Sequence, residues 1–230
     1  MRTIAVIARK GGSGKTTVAT NLAIAAHRRG LKTVLADSDR QRSAVDVLKG
    51  RRQGDGPTIV ETESRGLFQL QVSSLRAGVE ALVIDTPAGE EDELAHAIVL
   101  ADVSVLVVRP TLLDFAALIR TLRVIRHLRK RALVVLNQAP PKRAGVEPPA
   151  VRKAQEALRL LRLPVSPAIL RTRAAYQSAL ERGCSAEEQT GDVAAAIEIG
   201  DLWLSVQQFA ADVSPPEYVS DHIINDRALF

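Results

Sequence analysis

Two periodicities of apolar and polar positions take turns along the chain. Short β-branched runs with little alternation, TIAVIA (3–8), TVLAD (33–37), ALVID (81–85), VSVLVV (103–108) and ALVVLN (132–137), predict strands covered on both faces. TIVE (58–61) and PAIL (167–170) add two weaker strands. Between them, apolar residues at three- and four-residue steps predict helices over 15–29, 43–50, 64–76, 91–100, 112–130, 148–162, 173–182 and 192–211. This order implies an α/β fold, a mainly parallel twisted sheet with helices on both faces. No repeat or low-complexity linker divides it, so 1–212 read as one domain. The segment QAPPKRAGVEPP (138–149), with four prolines, predicts a long loop. Beyond about 212 the periodicity ends near Pro215-Pro216, and 213–230 read as a tail, packed or mobile.

The strongest chemical signal sits between the first strand and the first helix, in RKGGSGKTT at 9–17. Gly11, Gly12 and Gly14 let the backbone around Ser13 turn its N–H groups inward, and the following helix N-terminus adds positive potential, so the loop can cradle phosphates. In such a loop Lys15 neutralises phosphate oxygens and the Thr16 hydroxyl ligates Mg²⁺, with Thr17 beside it. These features predict a P-loop NTPase. The ordinary pattern has glycine at the position of Arg9; here an additional lysine, Lys10, precedes the paired glycines.

K-G-G-x-G-K-T-T so close to the start of the chain resembles the ParA/MinD family of deviant Walker A ATPases. Further segments occur in that family's order. Asp37-Ser38-Asp39-Arg40-Gln41 is similar to its D-x-D-P-Q element, and Asp85-Thr86-Pro87-Ala88-Gly89 to its Walker B and switch region. RPTLLDFAAL (109–118) and ILRTRAAYQSALERGCSAEE (169–188) resemble stretches of the small ParA partition ATPases, and the likeness covers roughly residues 3–210. The resemblance implies ATP and Mg²⁺ as cofactors. It places Asp37 and Asp85 in the outer shell of the metal, Asp39 beside the attacking water, and Thr86 and Pro87 in the switch. It implies a homodimer with ATP sandwiched between subunits, Lys10 of each crossing to the other's nucleotide. Asn137, ending the run 132–137, matches a position that contacts adenine in relatives or else merely caps a strand; no N-K-x-D element follows any strand, which disfavours guanine. Arg40 stands where the family has proline.

Charge then adds a partner. The net +5 is small, but residues 1–108 carry 14 basic and 13 acidic side chains, 109–173 carry 15 and 3, and 174–230 carry 2 and 10. Over 112–130, Arg120, Arg123, Arg126 and Lys130 share one side while Phe115, Leu118, Leu122 and Ile125 share the other. That is either a solvated arginine face or a surface for double-stranded DNA. The resemblance points also to Arg171 and Arg173 as DNA contacts, with Lys142, Arg143, Arg152 and Lys153 extending the patch. Neutralising four to six phosphates would give a log–log salt slope of about −4 to −5 without reading sequence. Base stacking is disfavoured, since four of the seven aromatic residues fall after position 200.

The expectation is thus a DNA partition ATPase, cytoplasmic and nucleoid-associated. No helix-turn-helix module precedes the strand at 3–8, which disfavours operator recognition by this chain, and the resemblance implies a small centromere-binding adaptor protein that supplies specificity and stimulates hydrolysis. One alternative keeps the biochemistry and changes the cargo, positioning a protein complex on the nucleoid. A membrane-cycling ATPase of the MinD kind needs a basic C-terminal amphipathic helix, and the acidic end from 174 onward argues against it. The single Cys184 excludes an intrachain disulfide and an iron–sulfur reductase, and two tyrosines make no cluster of the tyrosine-kinase kind. A DNA-compacting protein without enzymatic activity would bind DNA whatever happens at Lys15.

Overall fold

The computed structural model describes residues 1–51, 55–89 and 91–212. The seven apolar runs form one sheet: β1 (Arg2–Ile7), β2 (Thr33–Asp37), β3 (Thr58–Glu61), β4 (Ala81–Asp85), β5 (Val103–Val108), β6 (Ala132–Ala139) and β7 (Val165–Arg171). Their spatial order is β3-β2-β4-β1-β5-β6-β7, and every strand pairing is parallel. Parallel strands need crossovers, and the helices supply them: α1 (Lys15–Arg28), α2 (Ser43–Leu48), α3 (Leu67–Arg76), α4 (Glu91–Leu100), α5 (Leu112–His127), α6 (Pro149–Leu160), α7 (Ala174–Glu181) and α8 (Val193–Ala211).

The sheet separates two cores. One packs α1, α2, α7 and α8 against it, the other α3 to α6. Helix α1 lies within the first core, buried without interruption from Val18 to Ala26, and the alanines in this run let it lie close to the sheet and to α8. Helix α5 divides as its periodicity predicts: Phe115, Leu118, Leu122 and Ile125 are buried, while Arg120 and Arg123 are exposed.

Several boundaries differ from the sequence pattern, each for a local reason. The predicted helix over 64–76 begins as a 3₁₀ turn, Ser64–Gly66, before α3. Helix α5 stops at His127, and Arg129 then turns into the left-handed region at φ 52°. Strand β6 runs through Gln138, at φ 50°, to Ala139, shortening the proline loop. Strand β7 extends the run at 167–170 to Arg171. An unpredicted 3₁₀ turn, Ala186–Glu188, is closed by a capping box between Ser185 and Glu188. The expected tail, 213–230, lies outside the described residues.

Register positions the site. Asp85 of β4 pairs with Asp37 of β2 on one side and with Val6 of β1 on the other, so three strands end level beneath the loop after β1. The chain leaves β1 in the middle of the sheet, where its neighbours β4 and β5 belong to opposite halves, and the crevice above their carboxyl ends is where ligands bind in such sheets.

The two sides of α5 make a direct comparison possible. Leu122→Ala is expected to cost roughly 2–5 kcal/mol in denaturant unfolding, while Arg120→Ala stays within about 0.5 kcal/mol.

Candidate nucleotide site

The loop from Arg9 to Gly14 links the end of β1 to α1, and two of its glycines are required by geometry. Gly12 and Gly14 have φ of 71° and 89°. A Cβ on Gly14 would stand 2.3 Å from Asn137 Nδ2. Gly11 has open space around it, so its backbone is free to face a ligand. The loop is held from behind by side chains of the β6 end. Asn137 Nδ2 donates to the Ser13 carbonyl at 2.7 Å and Gln138 Nε2 to the Gly12 carbonyl at 2.9 Å. Turning those carbonyls outward leaves the amide groups for phosphate. Asn137 is therefore a buried clamp on the loop in this conformation, a different task from the adenine contact expected for it.

Beneath the loop the charges are buried. Lys15 is almost fully buried at the first position of α1, and burial lowers its pKa against the raising influence of Asp85 and Asp39. Thr16 and Thr17 follow on the first turn, half-buried. Asp85 has no exposed surface, and among the described residues neither of its carboxylate oxygens has a hydrogen-bond partner. Burial drives its pKa up to about 7, opposed by the nearby Thr16 hydroxyl and Lys15 and reinforced by Asp37 and Asp39. A carboxylate without partners facing a threonine and a lysine at a helix N-terminus fits a hydrated cation bound with phosphate. Thr16 would hold such an Mg²⁺ directly and Asp85 through water.

The flanking acids divide their roles. Asp37 is fully buried, and its carboxylate accepts from the N–H groups of Asp39, Ala44 and Val45 at 3.1, 2.9 and 3.1 Å, so it caps the start of α2. Burial still raises its pKa, against those three bonds. In this conformation the carboxylate expected in the metal's outer shell serves the backbone. Asp39 is half-exposed, accepts from Gln41 N at 3.0 Å, and lines a cleft of about 1120 Å³ shared with Pro87, Arg42, Glu93 and His96. Arg40, in place of the family's proline, reaches from that cleft to within 3.9 Å of Glu93. Thr86 Oγ1 donates to the Val6 carbonyl at 2.8 Å. Pro87 is buried beside it.

One group that the residue pattern did not assign to the site meets Lys10, and a second grips that group. Lys10 Nζ lies 3.3 Å from Asp114 Oδ2 in the first turn of α5, and Arg109 Nε lies 2.9 Å from Asp114 Oδ1. Asp114 belongs to the stretch 109–118, noted above only as a likeness. No residue pattern marks Gln138.

The arginines of 169–188 are placed otherwise than expected. Arg171 is buried at the end of β7 in a two-pronged pair with Glu147, at 2.8 and 2.6 Å, and also donates to the Pro140 carbonyl. Arg173 is bound to Glu198 and Asp192. Both hold loops and α8 together, so neither presents an uncommitted guanidinium to DNA here. Lys130 Nζ reaches the Ala101 carbonyl at 3.4 Å, and Arg126 is half-buried. Arg120, Arg123, Arg152 and Lys153 remain on the surface.

A parallel sheet carrying a glycine-turned phosphate loop at its central carboxyl edge, with a buried lysine, threonine and aspartate below it, defines a P-loop ATPase. The chain belongs to the family described as the CobQ/CobB/MinD/ParA nucleotide binding domain, whose model matches residues 4–184. Among curated relatives, it is similar to the maintenance of carboxysome distribution proteins A of Gloeobacter kilaueensis, 33% identical over 188 residues, and Halothiobacillus neapolitanus, 28% identical over 192. These alignments cover 80% of this chain and 83% and 85% of the relatives. Among solved structures, apo McdA of Cyanothece superposes with a TM-score of 0.74 at 18% identity, over 91% of this chain and 99% of that one. The cell division ATPase MinD of Pyrococcus furiosus gives 0.70 at 21%, over 90% and 98%. At those identities the structures speak for the fold.

Two tests follow from this geometry. Gly14→Ala is expected to abolish nucleotide binding in equilibrium dialysis, because both φ and the Asn137 contact forbid a side chain. For Asp85, the raised pKa means that between about pH 4 and 7 the folded chain keeps a proton that the unfolded chain releases, so its burial penalty grows over that window. Without nucleotide, the stability advantage of Asp85→Asn over wild type should therefore widen from about pH 5 to pH 8 in thermal melts. With Mg²⁺ and nucleotide the order should reverse.

Proposed function

We propose that this chain is an ATP-switched positioning ATPase, which couples Mg²⁺-dependent ATP hydrolysis to the distribution of a protein assembly over DNA. The observation that carries the reading is the match, across 80% of the chain, to two carboxysome distribution proteins. It moves the emphasis from the replicon expected from the sequence to a protein cargo, while the ATPase site stays the same. A small partner on that cargo takes the place of the centromere-binding adaptor. The cleft lined by Asp39 and Pro87 is where such a partner would dock.

The chemistry asks for positioned charge more than covalent help. Thr16, with Asp85 acting through water, would hold Mg²⁺, which would supply positive charge against the charge that develops on the phosphates. Loop amides and Lys15 bind and orient the phosphates, Asp39 positions the attacking water, and Lys10 of a second subunit adds positive charge at the transition state. Because that lysine arrives only in the ATP-bound homodimer, hydrolysis is tied to assembly.

DNA binding belongs to the face formed by α5 and α6. These helices cover the same side of the sheet, Ile119 of α5 packs against Leu161 just beyond α6, and their outer surface carries Arg120, Arg123, Arg152 and Lys153. The acidic α8 lies on the opposite side. Pairing two such faces in a dimer makes DNA affinity depend on ATP by avidity.

Lys15→Ala is expected to abolish ATP hydrolysis, and Asp39→Ala to bind ATP, remain dimeric in light scattering and turn over slowly; a hydrolysing Lys15→Ala would overturn the site. Replacing Arg120, Arg123, Arg152 and Lys153 by Glu should lower DNA affinity and flatten the salt dependence by about 0.9 for each phosphate that is no longer neutralised, with nucleotide affinity intact. Arg171→Ala should instead destabilise the fold by about 1–3 kcal/mol and leave that slope unchanged.

A further inference from the structure

We propose that Arg9 and Arg40 are positioning residues for ATP hydrolysis: they grip the acidic first turn of α4 from two loops of the site and so fix the far end of residues 86–89. The inference rests on the ATPase site and on the switch role given to Thr86 and Pro87, and is independent of cargo and DNA. Both arginines stand where the ordinary patterns have other residues, glycine at position 9 and proline at position 40.

Helix α4 opens with Glu91, Asp92 and Glu93. The positive end of a helix favours such acids, but here they border a site for a polyanion, and Asp92 and Glu93 line the cleft that holds Asp39. Arg9 Nη1 lies 3.3 Å from Glu91 Oε2, across 82 positions of sequence, with only 21% of the arginine side chain exposed. Arg40 Nη2 lies 3.9 Å from Glu93 Oε1. Glu93 also folds back over the segment before the helix, since a Cβ on Gly89 would stand 2.7 Å from its Oε2.

One guanidinium thus reaches α4 from each loop that handles the reacting groups. Arg9 precedes the phosphate-binding glycines, in a loop held by Asn137 and Gln138. Arg40 follows Asp39, whose N–H donates to the buried Asp37. Residues 86–89 lead from β4, where Asp85 and Thr86 are fully buried, to this doubly held turn. Strand β4 fixes one end of the segment and the two arginines fix the other. They also offset carboxylates that incoming phosphates would otherwise meet. Exposed ion pairs add little to stability. Near a reacting centre, however, a small displacement costs rate, so these pairs act on turnover more than on folding.

A double-mutant cycle reads the link directly. With saturating Mg²⁺ and ATP, Arg9→Gln is expected to lower the maximal rate of hydrolysis by roughly 1.5- to fivefold, the range for an exposed ion pair, while nucleotide affinity in equilibrium dialysis stays unchanged. In a Glu91→Gln background the same substitution should change the rate little, and Arg9→Lys, which keeps the charge, should recover most of it. The cycle of Arg40→Gln with Glu93→Gln should show the same coupling at smaller amplitude, as its longer distance requires. Both couplings should shrink at about 1 M salt, where the screening length is about 3 Å. Equal losses from Arg9→Gln with and without Glu91 would overturn the proposal, because an arginine acting on phosphate directly has no need of that carboxylate. A fall in nucleotide affinity in place of the rate would overturn it too. Thr86→Val separates the levels: if it hydrolyses ATP like wild type, the switch reading falls and this proposal with it; if it is slow while the Arg9 and Glu91 losses simply add, this proposal alone falls.

Discussion

Asp85 is a carboxylate with no exposed surface and no hydrogen-bond partner among the described residues, placed beside Lys15 at the start of α1. Leaving such a group charged is costly without compensation. The rest of the site can be read as the means of supplying that compensation only when nucleotide and metal are present. Parallel register sets Asp85 level with Asp37 and Val6, α1, buried from Val18 to Ala26, fixes the lysine and threonine over it, and Asn137 and Gln138 hold the loop above. Before ligand arrives, the carboxyl answers its isolation by holding a proton to about neutral pH. The ligand relieves a tension built into the sheet.

Around that centre lie contacts that can be broken without orphaning a buried charge. Lys10 can leave Asp114 because Arg109 stays, and Thr86 can leave Val6 at the cost of one hydrogen bond. Where a contact holds the frame together, it is redundant: Arg171 meets Glu147 with two prongs, and Arg51 does the same with Glu188. Charge also separates by face. The basic stretch 109–173 contains α5 and α6 and the acidic stretch after it contains α7 and α8 of the opposite layer, so a net charge of only +5 conceals two layers of opposite sign.

Much of this was legible in the residues because the relevant forces are local. Uninterrupted β-branched runs marked the strands, and the amphipathic spacing of Phe115, Leu118, Leu122 and Ile125 marked the inward side of α5. The glycines, Lys15 and Thr16 lie within one loop and turn, so their joint purpose shows in sequence. What escaped depends on partners distant in the chain. Arg171 looked like a phosphate contact because Glu147, 24 residues earlier, is its partner only in the fold. For Asn137 the residues left a base contact or a strand cap open, and nothing in its own strand shows that Ser13 comes to it. For Asp37 the resemblance implied a place in the metal's outer shell, and its further work as a cap is hidden because the short α2 begins six residues later.

The central claim is that ATP, through dimerisation, controls the hold on DNA. It is tested most directly by the affinity of the wild-type chain for a double-stranded fragment of arbitrary sequence, measured at one salt concentration with Mg²⁺ and either ADP or a non-hydrolysable ATP analogue. The account predicts binding tighter by about 10²-fold or more in the ATP-like state, as expected when two faces engage one duplex. Equal affinity in the two states would contradict it.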